Sequence, residues 1–277
     1  MEAKRLPKIR FRRAYLTFPY MAVCVVFVIV PIFLILAYAF SDGSGGASFS
    51  AFSERFSDKG TWLTLARSFI IATVTTVACL LLAYPTAMAL ASVKPGKRTV
   101  LLMLFIMPIW INSLLRLYAV RLFMMDFFHM ERGFWLTLIG MVYDFFPFML
   151  LPIYTVLTDM DKGLAEASYD LGANPVTTFL KVKLPLSVPG IVSGVLMVFM
   201  PTVSSFAVFD IMGKDGGTGF MNGKLFGNLV YQYFKSPGGY NSGSVLALIL
   251  LVLILLSTFL SNLFTKGKSS AKGGTIV

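Results

Sequence analysis

Six stretches of this chain are apolar for long enough to cross a lipid bilayer, at about residues 15–40, 66–91, 99–125, 134–157, 187–211 and 244–264. A helix rises 1.5 Å per residue, so about 20 apolar residues span the hydrocarbon core. No water is available there, and a run of this length satisfies its own backbone N–H and C=O groups only as a helix. Charged residues make up 13% of the 277, about half the share of a soluble domain. The pattern predicts an all-α integral membrane protein of six transmembrane helices. Its fourth and fifth runs are interrupted by Asp, Pro and Gly.

The net charge of +11 is compatible with nucleic-acid binding, but its distribution is not. Fifteen of the 24 basic residues fall on one side of the predicted spans: Lys4, Arg5, Lys8, Arg10, Arg12, Arg13, Lys94, Lys97, Arg98, Lys162, Lys181, Lys183, Lys266, Lys268 and Lys272. Six fall on the other: Arg55, Lys59, Arg132, Lys214, Lys224 and Lys235. Arg67, Arg116 and Arg121 lie in or near spans. Positive charge marks the cytoplasmic side, so both termini are expected inside a plasma membrane. Residues 1–13 read as a basic cytoplasmic arm, 14–265 as the transmembrane domain with a cytoplasmic insert at 158–185, and 266–277 as a cytoplasmic tail.

Ala37-Tyr38-Ala39 imitates a signal-peptide cleavage site, but the apolar run from Ala14 to Phe40 is well beyond the roughly 7–15 residues of a signal core. An uncleaved first helix is expected. Cys24 and Cys79 both lie in apolar runs, with neither zinc nor disulfide spacing. Leu225, Leu229, Val230 and Phe234 fall at helical spacing in the long Gly-rich segment 212–243, which predicts a short amphipathic helix at the outer surface. Pro85, Pro108, Pro147, Pro152 and Pro201 lie within spans. Each removes a helix hydrogen bond, which favours a moving or cavity-lining bundle over an anchor. No internal repeat supports an inverted-repeat secondary transporter.

A phosphate-binding loop needs Gly-x-x-x-x-Gly-Lys-Ser/Thr. Gly267-Lys268-Ser269 supplies its last part, but Asn262 stands in place of the first Gly. An intramembrane protease needs Ser with His, or paired Asp. The single His, His129, lies in an outside loop, and Asp144 and Asp210 are far apart in the chain. No catalytic residue and no metal site is therefore assigned.

Between the fourth and fifth runs lies a polar insert whose chemistry is that of two short helices. Asp159 or Asp161 is placed to cap the first. Gly172 stands where a left-handed residue ends it. Asn174 and Pro175 suit the cap and first position of the second, and Leu184-Pro185 is expected to end it. Within this insert Glu166-Ala167-Ser168, Gly172, and Leu184-Pro185 resemble the EAA motif, Glu-Ala-Ala-x3-Gly-x9-Ile-x-Leu-Pro, of the membrane permeases of bacterial ABC importers. Ser168 replaces the second Ala and Val182 the Ile. Pro108-Ile109-Trp110, Asn112 to Tyr118, Asp170 to Ala173, Leu184 to Leu186, Pro189 to Ile191 and Gly227-Asn228 are similar to the spermidine/putrescine branch of that family. The connection at 126–133 is shorter, and the basic arm longer, than that branch leads one to expect.

The resemblance implies a type I (MetI-like) permease fold in a bacterial inner membrane. It also implies alternating access driven by a separate ATPase dimer, which would bind ATP and Mg and dock on Glu166, Ala167, Ser168, Gly172, Leu184 and Pro185. A second permease chain and a periplasmic solute-binding protein would complete the machine. An iron complex, thiamine or an anion are alternative cargoes, and a non-transporting scaffold is the rival from another class. A polyamine path should pair carboxylates with aromatic faces. Candidates are Asp210 with Phe206 and Phe209, Asp144 with Tyr143, and Trp110, Asn112 and Tyr118 beside Pro108. For Asp210 the alternative is contact with water alone. For Asp144 it is an ion pair with Arg116 or Arg121.

Overall fold

The computed structural model describes residues 17–41, 46, 48–216, 220–221 and 223–269. The basic arm 1–13, most of the Gly43 to Gly46 stretch and the tail from 270 lie outside the described residues. The described chain is helical throughout, without a β-strand. Its elements are α1 (Pro19–Ala39), α2 (Ser50–Ser57), α3 (Lys59–Ser92), α4 (Pro95–Ile106), α5 (Ser113–Phe128), α6 (Phe134–Asp159), α7 (Lys162–Asp170), α8 (Pro175–Ser204), α9 (Ala207–Met212), α10 (Phe226–Lys235) and α11 (Tyr240–Ser269). Helices α1, α3, α6, α8 and α11 are long and apolar enough to cross a membrane, and the bent pair α4–α5 is so only when its two halves are taken together.

The core is made by α3, α6 and α8, which pack on one another. Small residues bring their backbones close: Ala72, Ala83 and Ala87 of α3 are fully buried. A Cβ at Gly190 of α8 would lie 2.7 Å from the Pro152 carbonyl of α6. In lipid no hydrophobic drive separates helix from solvent, so such close van der Waals packing carries much of the association. Leu136, Met141, Met149, Leu150 and Ile153 of α6 fill the space between. Helix α1 stands apart from this core and touches α11, where Ile35 and Ala39 pack with Val245 and Leu248.

Three expectations need correction. The third apolar run is not one straight helix. It stops at Ile106, turns through a 3-10 segment, Met107–Trp110, and restarts at Ser113 after a 102° bend. Pro108 lacks the N–H that would continue α4, and Asn112 starts α5 by accepting from Leu114 N at 3.0 Å. The second helix of the insert does not end at Leu184-Pro185. It runs on as α8 through a π-turn, Phe179–Lys183, in which Leu184 N–H bonds to Phe179 O. The wider turn accommodates a proline that would otherwise clash with the carbonyl one turn earlier. The fifth span ends at Ser204, not near 211, and Asp210 belongs to the separate short helix α9.

The amphipathic helix predicted around Leu225 to Phe234 is present as α10. It is wedged into the bundle and does not merely lie on it, since Leu225, Phe226 and Asn228 are fully buried. Arg67, inside α3, holds the approach to α10 by donating to the carbonyls of Phe220 and, at 2.9 Å, Lys224. Ser68 Oγ takes the Phe226 N–H at 2.7 Å. Because α8 is 30 residues long, it spans about 45 Å at 1.5 Å per residue. It therefore carries the chain from the insert at one end of the bundle to α9 and α10 at the other.

Candidate functional site

The candidate residues gather into three groups. The first is the insert. Asp161 caps α7 by accepting from Gly163 N at 2.9 Å. At the other end Ala173 N–H reaches back to Ser168 O at 3.0 Å, and Gly172 N–H to Tyr169 O at 2.9 Å. Gly172 has φ +80°, the left-handed conformation that costs other residues about 1–2 kcal/mol. Nothing lies within 4 Å of a Cβ placed there, so its requirement is conformational and not steric. Asn174 Oδ1 accepts from Thr177 N at 2.7 Å and starts α8. The Ser168 and Thr178 hydroxyls meet at 2.9 Å, which ties α7 to the first turn of α8. This gives a structural use to the Ser that replaces the motif's second Ala.

Glu166 and Ala167 are exposed. Glu166 lines a cavity of about 300 Å³ with Met88, Arg98, Tyr169 and Lys183. Leu164, Leu171, Val176 and Leu180 are also exposed, Leu171 at 88%. The insert thus combines a complete capping network with an apolar outer surface. It connects rigidly to the bundle. Tyr84 of α3 packs edge-on to Phe179 at 5.6 Å, and its hydroxyl meets Ser187 Oγ at 2.9 Å. Leu184 packs on the core, while Pro185 faces outward.

The second group surrounds the bend between α4 and α5. Asp144 of α6 forms an ion pair with Arg116 of α5, and Arg116 also donates to the Pro108 carbonyl. The Arg116 guanidinium lies 5.7 Å from the centre of the Tyr143 ring. Arg116 is therefore a second donor to the carbonyl at the break, which also accepts from Ile111 N at 3.2 Å. Its Nε remains buried with no acceptor. Of the pair of alternatives for Asp144, the structure realises the pairing with Arg116. Asn112 is occupied as the cap of α5, and Trp110 and Tyr118 are exposed on the turn and on α5. Pro108, Tyr143 and Phe146 line an apolar groove of about 620 Å³ with Phe105 and Trp135.

The third group lies at the far end. The Asp210 carboxylate is exposed and accepts from Asn228 Nδ2 at 2.8 Å. Asn228 Oδ1 in turn accepts from Gln232 Nε2 at 3.1 Å. Arg132 donates to the Asp210 backbone carbonyl at 2.8 Å. Phe206 stacks on Tyr231 with ring centres 4.7 Å apart. The Lys235 ammonium stands 4.8 Å from the Tyr231 ring centre. Hydrogen bonding to Tyr231, its charge and then the Asp210 carboxylate raise the Lys235 pKa above its ordinary value. Phe209 does not belong here: it is buried in the core, on the inward face of α9 that it forms with Val208, Ile211 and Met212. Sequence reasoning missed Asn228, Tyr231, Gln232 and Lys235. Their spacing of three, four and seven was the signal, a polar and aromatic stripe on the predicted amphipathic helix.

Residues 83–270 match the family model described as binding-protein-dependent transport system inner membrane component. The chain is 33% identical over 258 residues to the spermidine/putrescine transport system permease protein PotB of Haemophilus influenzae, covering 84% of this chain and 87% of that one. It is 33% identical over 222 residues to PotB of Escherichia coli, covering 73% and 78%. It is 28% identical over 220 residues to the E. coli inner membrane ABC transporter permease YdcU, covering 69% and 68%. Among solved structures, a bacterial ABC transporter involved in alginate import matches with a TM-score of 0.71 at 14% identity, covering 90% of this chain and 94% of that one. A chain of the MetNI methionine ABC transporter matches at 0.60 and 20% identity, covering 76% and 98%. These two show the fold alone.

Proposed function

The chain belongs to the family of binding-protein-dependent transport system inner membrane components, and from that premise we propose that it is the polyamine-conducting permease of an ATP-driven importer. It is a multi-pass, membrane-spanning ABC importer subunit of the MetI-like fold. Spermidine and putrescine are the proposed cargo. The relatives' names support this, as does an exposed carboxylate, Asp210, beside a stacked aromatic pair, Phe206 and Tyr231. The proposed partners are an ATPase dimer, a periplasmic solute-binding protein and a second, PotC-like permease. ATP and Mg would be bound by the ATPase and not by this chain. The basic residues that flank them support a cytoplasmic position for both termini and the insert.

The observation that carries the coupling role is the insert. A fully capped pair of helices that exposes Leu164, Leu171, Val176 and Leu180 is organised as a docking surface, since exposed apolar groups on an ordered polar element mark contact sites. Its second helix is continuous with α8, so displacement of the insert moves a core helix directly. Glu166→Lys in the assembled importer is expected to abolish binding-protein-stimulated hydrolysis and uptake together, while the chain still inserts. Stimulated hydrolysis and uptake at wild-type levels would refute the coupling assignment.

One observation favours a second reading of the cargo. Arg132, Lys214, Lys224 and Lys235 all lie at the end that carries Asp210, a distribution suited to an anion. Competition uptake with polyamines against anionic solutes separates the two: only the polyamine reading expects saturable spermidine uptake.

A further inference from the structure

At the far end of the bundle a primary alkylammonium already occupies an aromatic face. It belongs to the chain itself: Lys235 Nζ lies 4.8 Å from the centre of Tyr231. Tyr231 is backed by Phe206 in a stacked contact of 4.7 Å and 21°. The ring face carries the negative end of the aromatic quadrupole, which attracts ammonium groups. On the adjoining helix Asp210 has one carboxylate oxygen fixed by Asn228. Asn228 is itself fully buried and braced by Gln232. A carboxylate oriented in this way retains acceptor capacity on its other oxygen. Asn228, Tyr231, Gln232 and Lys235 all sit on one face of α10, so the arrangement is set by helical geometry and not by a loop.

We propose that Phe206, Tyr231 and Asp210 form a primary-alkylammonium subsite, and that Lys235 is its tethered occupant, displaced when the ammonium end of a polyamine enters. The identity of the entering ligand rests on the polyamine reading above. The four-carbon stem and terminal ammonium of lysine reproduce the end of putrescine atom for atom. Exchange of one ammonium for the other leaves the charge at the site unchanged. An anion or a neutral solute offers the ring no such exchange, so Lys235 stays seated against them. The tether has a kinetic consequence. It competes with every incoming cation and raises the concentration needed for uptake by about threefold to sixfold, the bias that an exposed cation–π contact gives to the seated state.

The test uses the assembled importer. Lysines are labelled with 13C at Cε, which leaves the primary ammonium intact, and the Lys235 resonance is assigned by its loss in Lys235→Arg. The seated group is expected upfield of free lysine through the Tyr231 ring current. It should move to the free position on addition of n-butylammonium or putrescine, and also in Tyr231→Leu. In proteoliposomes Lys235→Gln should lower the KM for putrescine by threefold to sixfold. An unshifted Lys235 resonance in the wild type, a resonance that phosphate moves and butylammonium does not, or a raised KM in Lys235→Gln each overturns the proposal. Failure to transport any polyamine would overturn the cargo reading instead, and the butylammonium titration would still decide the subsite.

Discussion

Asp144→Asn is the most informative single substitution in the bundle. It keeps the shape of the side chain and one acceptor oxygen, and removes only the charge. The Asp144 and Arg116 side chains retain 14% and 6% of their exposure, so the pair is largely withdrawn from solvent. Breaking such a pair from one side costs about 3–5 kcal/mol, because the other charge stays behind unpaired. The retained acceptor puts Asp144→Asn near the lower end, at about 3 kcal/mol. Arg116→Met costs a similar amount, since it leaves the largely buried Asp144 carboxylate without its partner. The combination is different. It removes both charges and also the buried Arg116 Nε, which has no acceptor at present. Replacement of a whole buried pair by apolar groups is often neutral. The double variant, Arg116→Met with Asp144→Leu, is thus expected to recover most of the loss, to within about 1–2 kcal/mol of wild type on the same grounds. The assay is denaturant unfolding in detergent of the two single variants and the double variant, with uptake measured on each. If Asp144→Asn unfolds like wild type yet loses uptake tenfold, the pair is not structural and Asp144 is a substrate ligand.

Gly190→Ala places a Cβ 2.7 Å from the Pro152 carbonyl and 3.2 Å from Ile153 Cα, both backbone atoms that cannot swing aside. It should cost about 1–3 kcal/mol as overpacking and lower the unfolding midpoint, whereas a wild-type midpoint would show that α6 and α8 are not closely apposed. Asp58 caps α3 through Gly60 N at 2.9 Å and Thr61 N at 3.1 Å. The Thr61 side chain first, and then the backbone N–H of Gly60, hold its pKa below the ordinary carboxylate value. Its contribution is therefore fully present above that ordinary value and is lost as pH falls through the lower folded one. Asp58→Ala should lower stability by about 1 kcal/mol at neutral pH, with the difference from wild type shrinking in acid. A constant difference at every pH would refute the charged cap.

The parts of the fold that were legible in the sequence are those governed by local rules. Span lengths follow from apolar runs, and the turn of the insert from Asp161, Gly172, Asn174 and Pro175, each of which adopts the conformation its chemistry favours. Two of the three misjudged boundaries involve proline. At Pro108 the helix breaks, while at Pro185 it continues through a π-turn. The same residue type has opposite outcomes, because the displaced backbone groups find different partners. Arg116 reaches Pro108 O in the first case, and a local change of hydrogen-bond register suffices in the second.

The candidate sites divide in the same way. Asp210 and Asp144 were equally visible as intramembrane acids, and only the tertiary structure separates an exposed carboxylate braced by Asn228 from one paired with Arg116. The sequence by itself determined that the chain spans a membrane, where its ordered insert lies and which residues turn it, since hydropathy, charge bias and capping act over a few neighbouring residues. The tertiary structure decided that the insert is continuous with a core helix, that Phe209 is buried, and that Lys235 sits on Tyr231 beside Asp210. Those facts depend on which distant side chains meet, and in a lipid bilayer that is settled by packing and by the satisfaction of polar groups, neither of which leaves a periodic trace in the chain.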